Sequence, residues 1–558
     1  MEAHCGALRG PGGGAHRGHP ASAAAELMDA PLRRLVEADP SAAEPLESDE
    51  RLRRRAAAVL GASEALGDYL VAHPGSWEAL RHGARRDLDV VASALDVASL
   101  HTAYRHRLLQ ICADDLTGDG DIGHVGHELS DLADATVWAA LSMARAEHPS
   151  SEARLAIIAM GKCGARELNY VSDVDVLFVA EGDLETATGW AARTMNICAE
   201  VAWQVDAGLR PEGRSGALVR TVDSYLSYYR RWAKTWEFQA LMKARPTVGD
   251  TALGASWMEA ISPLVWTTAD DADAVTAIRA MRRRVIAELP ADGAANEIKL
   301  GPGGLRDIEF AVQLMQLVHG RSDASLRVRS TLEALEALTA GGYLARADGE
   351  ALTATYRFLR TVEHRLQLRR LRRTHRVPDD PESLHWLARV LGFRTREEFN
   401  ATWRQHAATA RRLHEKLFYR PLLEAVAEVP TAGLRLTPDA ARARLEVLGF
   451  ADPAGALRHI SALTAGISRA AAIQRTLLPV LLGEFAEAPQ PDRGLLAYRA
   501  VSEKLGSTPW YLRLLRDGGP IALRLARLLA TSRYFTDLLM RDPEALRLLA
   551  DDADLRPR

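Results

Sequence analysis

Two apolar segments of strand length lie on either side of a glycine-containing turn in the first third of the chain. Residues 155–160 and 174–179 each have the length and mostly apolar character of a buried strand. Gly161 and Gly164 follow the first segment and predict a tight turn. Residues 186–205 are Ala-rich with helical spacing, which predicts a helix that leads to a further strand. The pattern therefore predicts a small sheet in this part of the chain.

The rest of the chain has apolar residues at helical spacing. Helices are predicted within residues 35–146, 308–318, 343–373, 399–418 and 439–558. Pro and Gly in residues 428–436 predict a linker before the last of these regions. We therefore expect an α+β fold that is mostly α-helical, with a small mixed sheet flanked by helical domains.

A set of residues near the N-terminus recurs near the C-terminus with identical spacing. The first set is Leu60, Ser63, Asp68, Leu70 and Pro74, and the second is Leu529, Ser532, Asp537, Leu539 and Pro543. Chance similarity between two Leu-rich helices is the alternative explanation. The repeat predicts a duplicated architecture, of which this chain holds one half and the start of a second.

These patterns divide the chain into five expected segments. They are a disordered N-terminus at 1–28, a helical region at 29–150, a sheet-containing core at 151–265, a helical domain at 266–426 and a further helical region at 427–558.

Composition restricts the class of protein. A chain of 558 residues that is 47% hydrophobic and 26% charged can bury several cores, and its net charge of −3 gives no reason to expect nucleic acid as a partner. No apolar run reaches membrane-spanning length and the N-terminus lacks a signal-peptide core, so we expect no membrane partner. Cys5, Cys112, Cys163 and Cys198 form no disulfide or zinc pattern, which indicates a reducing cytoplasm.

Two carboxylates open the second predicted strand. Asp173 and Asp175 are two residues apart on an extended segment and therefore project from the same face. Side-by-side carboxylates repel each other unless a cation lies between them, and their oxygens suit Mg²⁺ bound together with substrate phosphates. Asp206 follows the predicted helix and either supplies a third carboxylate at the same sheet edge or is an ordinary surface acid. A lone Asp-x-Asp is most often a solvated loop, but this context predicts metal-assisted nucleotidyl transfer.

Candidate phosphate contacts lie close to these acids. Gly161 and Gly164 let backbone amides approach a phosphate. Arg carries nearly all of the positive charge, and the lysines are Lys162, Lys234, Lys243, Lys299, Lys416 and Lys504. Lys162 and Lys243 are the lysines we favour for phosphate contact. Arg245 shares a face with Lys243 if the segment is extended, or both residues end an exposed helix. For the Arg-rich stretch 365–373 we favour a solvated helix face.

Four motifs together resemble the family of bifunctional glutamine synthetase adenylyltransferase/adenylyl-removing enzymes. They are GKxGxxELNYxSDxDxxFV at 161–179, VDxxLRPxGxxGxLV at 205–219, TWExQALxKARPxxGD at 235–250 and KxGxGGxRDIEFxxQxxQLxHG at 299–320. The resemblance covers essentially residues 50–558. Where the family often has Gly-Gly in the first turn, this chain has Gly164-Ala165. That departure weakens the phosphate-loop argument, since Ala tolerates fewer backbone conformations.

The resemblance implies a fold and a set of site residues. The fold is a polymerase-β-like nucleotidyltransferase core at 151–265, followed by a domain like the helical domain of PII-uridylyltransferase. The metal ligands and catalytic residues would be Asp173, Asp175 and Asp206, with Mg²⁺ as cofactor. Nucleotide or phosphate contacts would come from Gly161, Lys162, Gly164, Ser172, Arg210, Lys243 and Arg245, supported by Glu237, Asp307 and Glu309.

The last two acids have a second interpretation. Asp307 and Glu309 lie at the start of a predicted helix after the glycine-rich residues 301–304, where an acid commonly caps the helix. The resemblance implies instead that this helical domain closes the active site. Both interpretations stay open for Asp307, and we favour the functional one for Glu309.

The resemblance also implies an activity and partners. The N-terminal half of such enzymes removes AMP from a tyrosine of glutamine synthetase with phosphate as the attacking group, giving ADP, and the C-terminal half adds AMP from ATP. PII signalling protein would be the regulatory partner. Two alternatives remain: another nucleotidyltransferase of the PII pathway, and a non-catalytic module that docks PII or glutamine synthetase. Uridylylating relatives usually carry a His-Asp hydrolase motif, and no adjacent His-Asp pair occurs in this chain.

Overall fold

The computed structural model describes residues 29–82, 88–118, 121–267, 296–321, 323–418 and, with short gaps, 442–550. The expected disordered N-terminus, the expected linker at 428–436 and the expected boundary at 426/427 all lie outside these residues. No helix among the described residues has both the length and the apolar character needed to cross a membrane.

Helices fill the chain before the first strand, and acidic side chains begin several of them. The helices are α1 (Asp29–Ala38), α2 (Ala43–Ser48), α3 (Glu50–Ala62), α4 (Glu64–Ala72), α5 (Leu88–Ala92), α6 (Val97–Thr117) and α7 (Ile122–Glu147). Asp49, Asp96 and Asp121 each accept a hydrogen bond from a backbone N–H in the first turn of α3, α6 and α7. The structure thus confirms that residues 35–146 form several helices.

A five-stranded mixed sheet follows. Its strands are β1 (Arg154–Ala159), β2 (Val174–Glu181), β3 (Val205–Asp206), β4 (Val219–Arg220) and β5 (Arg245–Gly249). β1 pairs antiparallel with both β2 and β5, whereas β3 and β4 each pair parallel with β2. The two apolar segments recognised in the sequence are therefore the central strands, and the mostly helical fold with a small mixed sheet is confirmed.

Both faces of the sheet are covered, which explains why its central strands are apolar throughout. Leu155 and Ile157 pack in the same cluster as the N-terminal helices, whereas Ile158 packs on the opposite face with Tyr225 and Trp257. The helices around and after the sheet are α8 (Gly161–Gly164), α9 (Leu184–Val201), α10 (Val222–Arg231), α11 (Thr235–Leu241) and α12 (Thr251–Thr267).

Two further groups of helices follow. The first consists of α13 (Leu305–His319), α14 (Thr331–Gly341), α15 (Arg346–Arg370), α16 (Pro381–Val390) and α17 (Arg396–Phe418), which share one apolar cluster. The second consists of α18 (Pro453–Thr464), α19 (Arg469–Ala486), α20 (Pro491–Leu505), α21 (Gly519–Thr531) and α22 (Arg533–Arg541), which share another. The predicted helices at 308–318, 343–373 and 399–418 correspond to α13, α15 and α17, with shifted ends.

The two members of the sequence repeat have the same local structure. α3 and α21 each contain 13 residues, and the nine-residue helices α4 and α22 follow them. Ser63 and Ser532 occupy the junctions and cap α4 and α22 through bonds from Leu66 N and Phe535 N. A 3₁₀ helix comes next in both members. Matching residues therefore perform matching structural tasks.

Helix α15 holds the segment between β1 and β2 in place through buried polar contacts. Arg360 donates to the carbonyl of Glu167 over 2.6 Å and to Glu363 over 2.9 Å, and it also bonds Asn169. Gln367 accepts from Val171 N over 3.2 Å. Since Glu167, Asn169 and Val171 all precede Asp173 by a few residues, α15 fixes the approach to the candidate acids.

The Arg-rich stretch 365–373 is a solvated face only in part: Arg370 and Arg373 are exposed, whereas Arg365 is not. Arg365 is buried and forms a bidentate pair with Asp115, and Arg369 and Arg370 both pair with Glu64. Helical periodicity could not show this, because the partner acids lie more than 200 residues away in the sequence.

Loss of Arg360 is expected to destabilise the fold strongly. The side chains of Arg360 and Glu363 are 3% and 0% exposed, so Arg360→Met leaves a buried carboxylate without its arginine and should cost about 3–5 kcal/mol. Arg357→Met is the matched control on the same helix, because its pair with Asp121 is 42% and 57% exposed and should be worth no more than about 1 kcal/mol. Urea denaturation measures both, and equal losses would contradict the clamping role of Arg360.

Candidate functional site

Three carboxylates meet at one edge of the sheet. Asp175 is the second residue of β2 and is the direct pairing partner of Asp206 on the parallel strand β3. Paired residues on neighbouring strands lie about 5 Å apart and project from the same face. Asp173 immediately precedes β2, two residues before Asp175. Helix α9 connects β2 to β3, so the strand-helix-strand order places Asp206 where the sequence predicts it.

The acids affect each other electrostatically. Burial, followed by the charges of Asp206 and Asp173, raises the pKa of Asp175 to about 6. A cation between the carboxylates would relieve this repulsion, and hard oxygen donors of this kind fit a divalent ion such as Mg²⁺ or Mn²⁺. The residues present therefore match the chemistry that a metal ion requires.

Two of the acids are engaged by protein groups. Asp173 forms an ion pair with Arg373, and Asp206 accepts a 2.7 Å hydrogen bond from Gly208 N. Within the described ranges, no three His, Cys, Asp or Glu side chains form a group that could hold a metal ion as they stand. Coordination by all three acids therefore requires their side chains to rearrange, and Arg373 occupies one carboxylate oxygen of Asp173.

Gly161 and Gly164 of the turn are required by two different close contacts. Gly161 has a φ of +53°, and a Cβ there would lie 2.4 Å from Asp175 Oδ2. Gly164 is buried, and a Cβ there would lie 2.0 Å from Lys243 O and 2.5 Å from Ala159 O. Ala165 has a φ of −80°, so Ala in place of the family's second glycine causes no strain. Gly161 thus lies against the acids, whereas close packing explains Gly164.

Lys162 lies next to this turn and points into the contact with α15. Its Nζ lies 3.1 Å from Glu363 Oε2 and 3.2 Å from Asn169 Oδ1. Burial lowers the pKa of Lys162, and the charge of Glu363 opposes that shift. His375 also contacts Glu363, over 3.0 Å. The phosphate role predicted for Lys162 stays a prediction, and its observed contacts are within the protein.

Lys243 and Arg245 pair with different acids. Lys243 is buried, 3.0 Å from Glu167 Oε2, and Glu167 also accepts a 2.6 Å bond from Thr331 N. Arg245 forms a 2.7 Å pair with Asp134 and donates to the carbonyls of Cys163 and Gly164. Both cations therefore fasten the turn after β1, and nothing in this arrangement favours the phosphate contact predicted for them.

Three other predicted residues have local structural tasks. Arg210 donates to the carbonyls of Ala207, Arg214 and Gly216 and so folds its own loop. Glu237 accepts from Lys234 N at the start of α11, which is a capping contact. Ser172 donates to the carbonyl of the adjacent Asp173, which leaves it beside the acids.

The acids at the start of α13 differ from each other. Asp307 is buried and accepts a 2.7 Å bond from the N–H of Gly303, the residue before the N-cap Gly304, so it holds the glycine-rich turn ahead of α13. Both interpretations of Asp307 stay predictions. Glu309 is also buried, and the charges of Arg306, Lys243, Lys162 and Lys299 lower its pKa despite burial. Glu309 is therefore the carboxylate of α13 that faces the cations of the core.

Two family models match the chain. Residues 50–260 match glutamate-ammonia ligase adenylyltransferase, and residues 279–418 match GlnD PII-uridylyltransferase. The first match contains all three acids of the sheet edge. The second contains all of α13 to α17.

Whole-protein relatives agree with the family models. The chain is 54% identical to a protein of Streptomyces coelicolor, over 94% of this chain and 56% of that protein. It is 56% identical to a protein of Streptomyces avermitilis, over 90% of this chain and 52% of that protein. It is 48% identical to a protein of Mycolicibacterium smegmatis, over 91% of this chain and 55% of that protein. Each of the three carries the name bifunctional glutamine synthetase adenylyltransferase/adenylyl-removing enzyme.

Over nine tenths of its length or more, the chain is similar to these members of the family. It spans about half the length of the curated relatives that it matches. Members of the family are therefore the appropriate reference for its nucleotidyltransferase core, which the four sequence motifs had indicated.

Sequence reasoning missed the residues that reach the core from the helical domain. Arg360, Glu363 and Arg373 bind Asn169, Lys162 and Asp173 across almost 200 residues of sequence. The only available signal was the high density of charge in a helix that also carries a full apolar face. A high density of charged residues does not by itself show which of them form buried pairs, because their partners lie in distant parts of the sequence.

Alanine at the two glycines is expected to have different effects. Gly164→Ala meets backbone atoms and should destabilise the fold by roughly 2 kcal/mol or more. Gly161→Ala should cost about 1–2 kcal/mol for its left-handed backbone and should push the Asp175 carboxylate away.

Gly189→Ala in α9 serves as the control, since nothing lies within 4 Å of its added Cβ. It should stabilise the protein by about 0.5–1 kcal/mol. Urea denaturation gives the stabilities and Mn²⁺ titration reports on the acids. Unchanged Mn²⁺ affinity in Gly161→Ala would show that the turn does not position Asp175.

Proposed function

We propose that this chain removes AMP from an adenylylated tyrosine of glutamine synthetase, with inorganic phosphate as the attacking group. The observation that carries the proposal is the alignment of Asp175 with Asp206 on parallel strands, with Asp173 two residues before Asp175. The family relationship supports the choice of glutamine synthetase as the protein substrate.

Asp173, Asp175 and Asp206 would hold Mg²⁺. The ion would supply charge stabilisation for the oxygens that attack and leave the α-phosphorus. The chain itself contributes a sheet edge, a half-buried Asp175 whose ionisation is made costly by its neighbours, and a turn without a side chain at Gly161.

The reaction is a single in-line displacement. An oxygen of inorganic phosphate forms a bond to the α-phosphorus, and the bond between that phosphorus and the tyrosine oxygen breaks. The tyrosine oxygen takes up a proton, and the products are unmodified glutamine synthetase and ADP. No covalent intermediate with the enzyme is needed, so the site requires no nucleophilic side chain.

A PII signalling protein is the proposed regulatory partner, because residues 279–418 match the PII-uridylyltransferase model. We place the reaction in the cytoplasm, where glutamine synthetase and a reducing environment are available. The described cysteines Cys112, Cys163 and Cys198 are buried and unpaired, which suits that environment. Uridylylation of PII is the less favoured activity, since the relatives over 90% of the chain are named for glutamine synthetase.

Removal of one carboxylate charge should abolish the reaction without unfolding the protein. Asp175→Asn is expected to lower phosphorolysis at least about a hundredfold, because a ligand charge is lost. Its thermal stability should not fall, because the substitution relieves repulsion among the three acids. Asp183→Asn is the control, since Asp183 only caps α9. Near-normal turnover in Asp175→Asn would overturn the assignment.

The identity of the nucleotide product distinguishes phosphate from water as the attacking group. With adenylylated glutamine synthetase, phosphate and Mg²⁺, the unmutated chain should release ADP, and omission of phosphate should stop release. Chromatography of the nucleotides measures this directly. Release of AMP in either mixture would show that water attacks, and phosphorolysis would have to be abandoned.

A further inference from the structure

A cation of the helical domain reaches one of the candidate metal ligands. Arg373 lies three residues beyond the end of α15, and its guanidinium pairs with the carboxylate of Asp173. Its side chain is 54% exposed, unlike Arg360 and Arg365 of the same segment, which are buried. An exposed pair of this kind contributes little to folding, so stability does not explain it well.

The backbone sends Arg373 toward the core. Helix α15 ends at Arg370, and Leu371 has a φ of +46°, a left-handed conformation that a residue with a branched side chain rarely adopts. The chain therefore turns sharply just before Arg373. His375 then binds Glu363, which fixes the segment on its far side.

A second cation lies beside the same acids and has no side-chain partner in the part of the chain that the structure describes. Lys299 makes no ion pair and no side-chain hydrogen bond with any described residue, although its charge acts on Asp175, Lys162 and Glu309. Its backbone is held firmly, because Ile298 N donates to His375 O over 2.7 Å and Arg306 N donates to Lys299 O over 3.0 Å. The backbone of Lys299 is thus fixed, and its ammonium group, which is unpaired among the described residues, is available to bind an anion.

The segments of Arg373 and Lys299 are physically joined. Glu297 and Arg376 form an isolated antiparallel bridge, and Val377 N donates to Asn296 O over 2.9 Å. The two cations therefore belong to one small unit of the helical domain that faces the sheet edge. Acids come from the core and cations from this unit.

We propose that Arg373 and Lys299 bind the phosphate oxygens of the reacting groups, with Arg373 leaving Asp173 when a metal ion and phosphate enter. This inference rests on the proposed function, because it assigns the anion-binding side of the same site. Arg373 has planar donors suited to a phosphate, and Lys299 supplies a compact charge. In the absence of substrate, Arg373 occupies the carboxylate that the metal ion needs.

The proposal makes two opposite expectations for Arg373→Ala. Without substrate, Mn²⁺ should bind more tightly, by about threefold or more, because the competing guanidinium is gone. The Kd for ADP in the presence of Mn²⁺ should rise about tenfold or more, the scale of one charge-assisted hydrogen bond. Lys299→Ala should weaken ADP binding by a similar factor and should change the Mn²⁺ affinity less. Arg373→Lys should recover part of the ADP affinity.

Arg376→Ala is the matched control, since Arg376 lies in the same segment and pairs only with Asp379 among the described residues, at the surface. It should leave both affinities unchanged. Titration calorimetry measures the Kd for ADP, and electron paramagnetic resonance measures the Kd for Mn²⁺. If Arg373→Ala and Lys299→Ala behave like Arg376→Ala in both measurements, the proposal is wrong.

Kinetics separate the two possible phosphates. A raised KM for inorganic phosphate would show that the cations hold the entering phosphate, whereas a lowered kcat with unchanged KM would place them on the transferred α-phosphate. Either result supports the proposal, and unchanged kcat and KM would contradict it. If the unmutated chain proves inactive but the ADP and Mn²⁺ effects persist, the proposed function fails while the anion-binding assignment stands.

Discussion

The contact between helix α15 and the segment before Asp173 is the constraint on which the candidate site depends. Arg360 and Glu363 of the helix meet Asn169 and Lys162 of the core where almost no side chain is exposed. A buried charge destabilises the fold unless it is paired and hydrogen-bonded. The helix and the core can therefore pack stably only in the arrangement that pairs these charges. The position of the acids therefore depends on a helix that is distant in sequence.

This arrangement explains why the predicted phosphate ligands are already occupied. Lys162, Lys243, Arg210 and Arg245 are the cations predicted to bind phosphate, and all of them bind protein acids or carbonyls. They hold the glycine turn and its loops rigidly beside the sheet. Lys299 and Arg373 are the cations to which we assign the phosphate, and they lie in the segment before α13 and the segment after α15. The proposed site then lies between the sheet edge and these two segments.

The parts of the site that the sequence predicts are those encoded locally. Two apolar segments, a glycine turn and Asp-x-Asp were enough to place Asp173 and Asp175, and the order strand-helix-strand placed Asp206. Capping also follows local rules, as at Glu237. Pairs such as Arg365 with Asp115 do not follow local rules. The sequence of a helix does not show which of its charged residues are buried against a distant part of the chain. Gly164 illustrates the same limit, since its reason is the close approach of Lys243 O rather than a phosphate.

The most direct measurement is a crystal structure of the chain grown with Mn²⁺ and ADP, with anomalous diffraction to locate the manganese. The account predicts manganese bound by Asp173, Asp175 and Asp206, with the ADP phosphates between these acids and the side chains of Lys299 and Arg373. It also predicts that Arg373 no longer contacts Asp173. Manganese and ADP bound elsewhere on the chain, with the pair between Arg373 and Asp173 intact, would contradict the account.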